Sequence, residues 1–211
     1  MSFQISHLVL GIEGYKNFCN KKEKDFFIGN SFPDIRFITN QKREDTHFLS
    51  LNDLKFLDTD TSFMSGYRFH LLTDLIQREY YIKNNYLFLK YGGFEKIKTP
   101  LIFLEDILFF NKIDNIKKYI LFFDDVLNDE MELKIEKEKI IQWHKIIKQY
   151  FSSKKLNEED IKKFRSNFII YNENEFNEQL EMLNILKKDS DIIELINNFY
   201  SNFNEEIKKY I

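Results

Sequence analysis

The chain has 211 residues, 43% of them hydrophobic, which is enough for one compact domain with a substantial core. Its 31 basic and 34 acidic side chains are spread along the length and leave a formal charge of −3, without the basic stripe that phosphate-backbone binding demands, so sequence-specific nucleic-acid recognition is not expected. Cys19 stands alone and excludes an intrachain disulfide, while no apolar run approaches the roughly 20 residues that cross a bilayer and no secretory signal is recognisable, so a cytoplasmic protein without a transmembrane segment is expected.

Apolar residues recur at three- and four-residue spacing and only Pro33 and Pro100 interrupt the chain, so the reading is all-α, a single-domain multi-helix bundle over 1–211. Helices are predicted near 4–18, 61–83, 101–110, 113–128, 131–151, 158–166, 174–188 and 191–209. The first carries His7. The stretch from Phe26 to Pro33 is apolar and short, and Pro33 is expected to end any helix there because the residue before a proline is pushed towards extended geometry. Asp34 then opens a predicted loop that runs to about Asp60 and contains His47.

The next helix holds Gly66-Tyr67-Arg68-Phe69-His70-Leu71-Leu72-Thr73-Asp74. His70 and Asp74 are four residues apart, so at 3.6 residues per turn they share one face and an imidazole nitrogen and a carboxylate oxygen can reach one ion. Phe63, Tyr67 and Tyr81 lie on that side, whereas Phe69, Leu72 and Ile76 point into packing; Gly66, one turn earlier, leaves room for another segment. Gly92, Gly93 and Pro100 mark a predicted break between a metal-site half, 1–90, and an amphipathic helical half, 101–211. In that second half Asn157 and Ser190 are expected helix N-caps, and His144 is expected to be a solvated or partly packed histidine on a charged helix. Asp124-Asp125 and Asn157-Glu158-Glu159-Asp160 read as solvated helix ends rather than general acids.

Taken singly, the His70 and Asp74 pair is as compatible with a helix-surface hydrogen bond as with a metal, and Asp34 and His47 read as loop residues. Together the four supply two nitrogens and two oxygens, a set that suits zinc, with manganese or iron also compatible, and two negative charges to neutralise the ion.

The order His7, then Phe27-Ile28-Gly29-Asn30-Ser31-Phe32-Pro33-Asp34-Ile35-Arg36, then Thr46-His47-Phe48, then Gly66 to Asp74, resembles the bacterial zinc-dependent phospholipase C family, distant relatives of the single-strand-specific zinc nucleases. The resemblance covers roughly the first 80 residues. It implies an all-helical phosphodiesterase fold in which Asp34, His47, His70 and Asp74 hold one metal and His7 binds a second that shares Asp74. It also implies a free N-terminal amine as a further ligand, and removal of Met1 would put the amine of Ser2 five residues before His7. The chain departs from the three-metal pattern, because no histidine lies between His70 and His144; it is similar instead to a reduced intracellular branch with one or two ions.

The implied reaction is hydrolysis of a small phosphoester or lipid headgroup by a metal-activated water, with Asp34 and Asp74 at the ion. Arg78, one turn beyond Asp74, and Arg36, two residues after Asp34, either steady the phosphate or pair with the metal carboxylates. The rival reading is a non-catalytic helical protein whose structural metal fastens helices while the C-terminal half binds another protein. The amphipathic C-terminal helices suit a monomeric bundle as well as pairing between chains.

Overall fold

The computed structural model describes residues 3–17, 20–47 and 61–210. Among them are eleven α-helices, two 3₁₀ segments and no strand, in agreement with the all-α reading. Helix α1 (Gln4–Tyr15) is followed by α2 (Glu23–Ser31), a 3₁₀ segment (Phe32–Ile38) and the single turn α3 (Arg43–Thr46). Helix α4 (Ser62–Lys83) leads through a second 3₁₀ segment (Asn85–Tyr91) to α5 (Phe94–Phe110). The remainder is α6 (Ile116–Phe122), α7 (Asn128–Glu132), α8 (Lys137–Phe151), α9 (Glu158–Arg165), α10 (Glu173–Leu186) and α11 (Ser190–Ile207).

Helix α2 has no counterpart among the predicted helices, and it is the element that packs most extensively on α4. Glu23 and Asp25 in its first turn complement the helix dipole; it ends at Ser31, but Phe32, with φ of −71° and ψ of −38°, is helical rather than extended, and the chain runs on through Pro33 as a 3₁₀ turn. Its crossing with α4 is made by two glycines facing each other's backbone. A Cβ on Gly66 would lie 1.9 Å from the Phe26 carbonyl oxygen, and one on Gly29 2.0 Å from the Phe63 carbonyl oxygen. The close approach expected at Gly66 is therefore real. It brings Asn30 and Asp34 beside His70.

One continuous core runs through both halves. Phe26, Phe69 and Phe203 pack in sequence from α2 across α4 to α11, and Phe3 stacks on Phe103 of α5 with ring centroids 5.3 Å apart. The Trp143 indole on α8 donates to the Ser31 carbonyl at 3.2 Å. Asp106, buried on α5, accepts from the backbone amide and hydroxyl of Ser6 at 2.8 and 2.6 Å and from Tyr150 at 2.9 Å. It thereby satisfies amides in the first turn of α1, which would otherwise be buried without a partner.

Several boundaries differ from the reading. Asp34 sits in a 3₁₀ segment rather than a loop, and His47 immediately follows α3. Gly92 and Gly93, with φ of 88° and 92°, do break the chain, but Pro100 lies inside α5. A proline there forfeits the bond to the carbonyl of Lys96, an exposed residue, and the apolar face around it still buries. The long helices predicted over 113–128 and 131–151 are interrupted by Asn115 and Lys134, both left-handed with φ of 54° and 57°, a conformation that spacing does not reveal. Asn157 caps α9 as expected, its side chain accepting from the amides of Glu159 and Asp160, whereas Asp189 rather than Ser190 caps α11. His144 is a correction too. It is buried under Phe123 and bonded at 2.7 Å to the buried Glu130, because α7 folds back over α8. No helix among the described residues is long and apolar enough to cross a membrane.

Candidate metal centre

Helices α1 and α4, the first 3₁₀ segment and the end of the single turn α3 converge on a cluster of His7, Asp34, His47, His70 and Asp74. Two groups within it place one ligand atom per residue within 4.8 Å of one another: His7, His70 and Asp74, and Asp34, His47 and His70. Asp74 joins them, with Oδ1 3.4 Å from His7 Nε2 and Oδ2 3.5 Å from His47 Nε2. His70 Nε2 lies 4.0 Å from Asp34 Oδ1. The five residues that the sequence singled out as metal ligands therefore meet, although His70 rather than Asp74 is common to both groups. Met1 and Ser2, and with them the proposed amine ligand, lie outside the described residues.

The neighbours fix the rings. His70 Nδ1 faces the Asn30 carbonyl at 2.8 Å, and since a carbonyl only accepts, Nδ1 carries the proton and Nε2 keeps its lone pair. The Asn30 side chain in turn donates to the His7 carbonyl at 2.7 Å, so one residue of α2 clasps α1 and α4 together. His47 Nδ1 lies 2.9 Å from the Thr46 hydroxyl, and the Tyr67 hydroxyl donates to the Thr46 carbonyl at 2.5 Å, holding the end of α3 against α4. Gln4 donates to Asp34 Oδ2 at 3.0 Å.

Burial keeps the imidazoles neutral. It pushes His47 down to about 2, helped by the Arg43 charge, and holds His70 well below its ordinary value, with His7 and His47 adding to the effect. The same burial raises Asp34, partly offset by Arg36 and Arg43. Neutral histidine is the form that ligates a metal. The Nε2 atoms of His47 and His70 are also buried with no hydrogen-bond partner among the described residues, a costly arrangement for polar atoms unless a cation takes the lone pairs. The donor set thus fits a divalent ion. Because His70 has one available nitrogen, the two groups are alternative seats for an ion that uses it, and a second ion would need other donors.

Arg43 was missed by the sequence reading. Its guanidinium lies 2.9 Å from Asp74 Oδ2, so the pairing expected of Arg78 belongs to a residue four positions before His47. Arg78 pairs with Glu95 at 3.4 Å instead, and Arg36 lies 4.0 Å from Asp34. All three arginines line a cavity of about 390 Å³ onto which Asp34 and Asp74 open. Arg43 stands in Arg43-Glu44-Asp45, where it reads as one charge among several; only the packing of α3 on the 3₁₀ segment turns it inward. Asp124 and Asp125 lie elsewhere, paired with Lys148 and Lys24, as solvated carboxylates.

Comparison of the chain with protein-family models, with curated proteins and with solved structures gave no match.

Proposed function

We propose that the chain is a metal-dependent phosphoester hydrolase, zinc being the ion its donors suit best, and that His7, Asp34, His47, His70 and Asp74 supply the ligands. The observation that carries this reading is the pair of buried, unbonded imidazole nitrogens on His47 and His70 beside two buried carboxylates. When bound, a divalent ion supplies Lewis-acid polarisation of a phosphoryl oxygen and a nucleophilic water at neutral pH.

The chain's own residues supply the rest. Arg43 and Arg36, at the mouth of the cluster, present guanidinium forks that bind phosphate oxygens in pairs and orient the ester towards Asp34 and Asp74. A cavity reaching the carboxylates is what a substrate needs and what a purely structural ion does not.

The test is elemental analysis of protein purified without added metal or nickel resin, beside His70→Ala and Asp74→Ala, followed by a screen of phosphomonoesters and phosphodiesters. One or two equivalents of metal in the parent, loss in both variants and metal-dependent turnover are expected. Folded parent protein that takes up no metal removes the proposal, and metal without turnover leaves the ion a structural role.

A further inference from the structure

Cationic side chains outnumber carboxylates along the cavity beside the cluster. Five cationic side chains line it, Arg36, Arg43, Arg78, Lys98 and Arg165, against three carboxylates, Asp34, Asp74 and Glu95. Arg43 is engaged by Asp74, and Arg78 and Lys98 both lean on the exposed Glu95 at 3.4 and 2.9 Å. Arg165 makes no ion pair among the described residues, and its Nε, like that of Arg36, is buried without a hydrogen-bond partner.

These two arginines are held by a stack of four groups. The Arg36 guanidinium sits 4.1 Å over the Phe37 ring, Phe37 lies flat on Phe168 with centroids 4.4 Å apart and planes 3° from parallel, and the Arg165 guanidinium sits 5.0 Å from the Phe168 centroid. The chain closes this stack with a backbone bond from Ile169 N–H to the Phe37 carbonyl at 2.9 Å. Aromatic faces hold a guanidinium in place while leaving its in-plane N–H groups for an anion. Two such groups at one cavity, which Lys98 also lines, are a pre-organised anion receptor. Quaternary ammonium recognition would call for the reverse, carboxylates and open aromatic faces.

We infer that this cavity binds a phosphorylated ligand with at least two anionic groups, one directed to Arg36 and Arg43 at the His/Asp cluster and the other to Arg165 and Lys98. The inference rests on the hydrolase reading only for the orientation of the ligand; the binding itself needs no ion. Such chemistry is offered by a soluble bisphosphate or by a polyphosphorylated lipid headgroup.

Calorimetric titration of the protein as purified with fructose bisphosphate, fructose monophosphate and phosphocholine tests it, in the parent and in Arg165→Gln and Lys98→Gln. The bisphosphate is expected to bind roughly tenfold more tightly than the monophosphate, phosphocholine to bind most weakly, and each substitution to shrink the bisphosphate preference several-fold. Lys98 is half-exposed, so its variant reports even if Arg165→Gln melts early. Equal affinity for the two sugar phosphates, a preference unchanged in both variants, or tightest binding of phosphocholine overturns the inference. Sedimentation with phosphatidylcholine vesicles, plain or carrying a phosphoinositide bisphosphate, separates the sources: phosphoinositide-dependent sedimentation lost in Arg165→Gln supports a lipid source, and bisphosphate preference without sedimentation supports a soluble one. Bisphosphate preference in a protein that hydrolyses nothing defeats the hydrolase reading alone. Hydrolysis without that preference defeats this inference alone.

Discussion

His7 and His70 stack face to face, with ring centroids 3.7 Å apart and planes 16° from parallel. A proton on both rings at once would set two like charges against each other inside a buried cluster, in addition to the desolvation that already disfavours a charge on His70. The arrangement is one of neutral rings. In metal-free protein, nitrogen-15 correlation spectra are expected to show His47 and His70 neutral at pH 5, with His70 as the Nδ1–H tautomer that its bond to the Asn30 carbonyl dictates. Imidazolium signals from either ring at that pH would defeat the reading.

Arg43 would compete with a bound metal for Asp74. Its guanidinium takes one carboxylate oxygen and places a positive charge at the seat of a divalent ion, yet its side chain is 42% exposed, so solvent screens much of the effect. Arg43→Met is expected to tighten zinc binding by roughly tenfold, measured by competition with a chromophoric chelator. Weaker binding would mean that Arg43 supports the donor set instead of opposing it.

The crossing of α2 and α4 leaves no space for a methyl group. Gly66→Ala drives Cβ into the Phe26 carbonyl, a backbone atom that cannot swing away, so a loss of about 3 kcal/mol or more in denaturant unfolding is expected. The same substitution at Gly93, where an added Cβ finds its nearest neighbour at 3.6 Å, meets no such clash and is opposed chiefly by the positive φ of 92°. If Gly66→Ala unfolds at the parent's midpoint, the helices do not cross as described.

Glu105 is buried beneath Tyr81, Gln77 and Tyr200, and burial pushes its carboxyl up to about 8. A carboxyl that holds its proton more tightly folded than unfolded stabilises the fold fully below its unfolded value of about 4.5 and loses that contribution as pH rises towards 8. Stability of the parent relative to Glu105→Gln is therefore expected to fall between about pH 4.5 and 8, by an amount on the order of a few kcal/mol. Parallel melting curves across this range check it, and a constant difference would refute a buried protonated carboxyl.

The sequence was most informative where side-chain chemistry follows from local spacing. His70 and Asp74 share a face because a helix repeats every 3.6 residues, and Asn157 announces its helix by capping it. Asp34 and His47, remote along the chain, were legible through their order relative to Pro33 and the His70 helix, and the structure does bring them together. What escaped depends on contacts between distant segments. Arg43 turns inward only through the packing of α3, α2 is too short to show a period and is held by its glycines, and Arg165 meets Arg36 through two stacked phenylalanines 131 positions apart. His144 was misjudged for the same reason, since its partner Glu130 sits in a separate short helix.

Asp106 gives the location of the cluster a consequence for how the protein comes into being. All five ligand-type residues are encoded before residue 75, yet the amides that begin α1, and hence the placement of His7, are held by a carboxylate one hundred residues downstream, itself bonded to Tyr150. A nascent chain that has emerged only as far as α4 carries every donor and no finished cage. The placement of His7 thus waits until α5 has supplied Asp106 and α8 has supplied Tyr150.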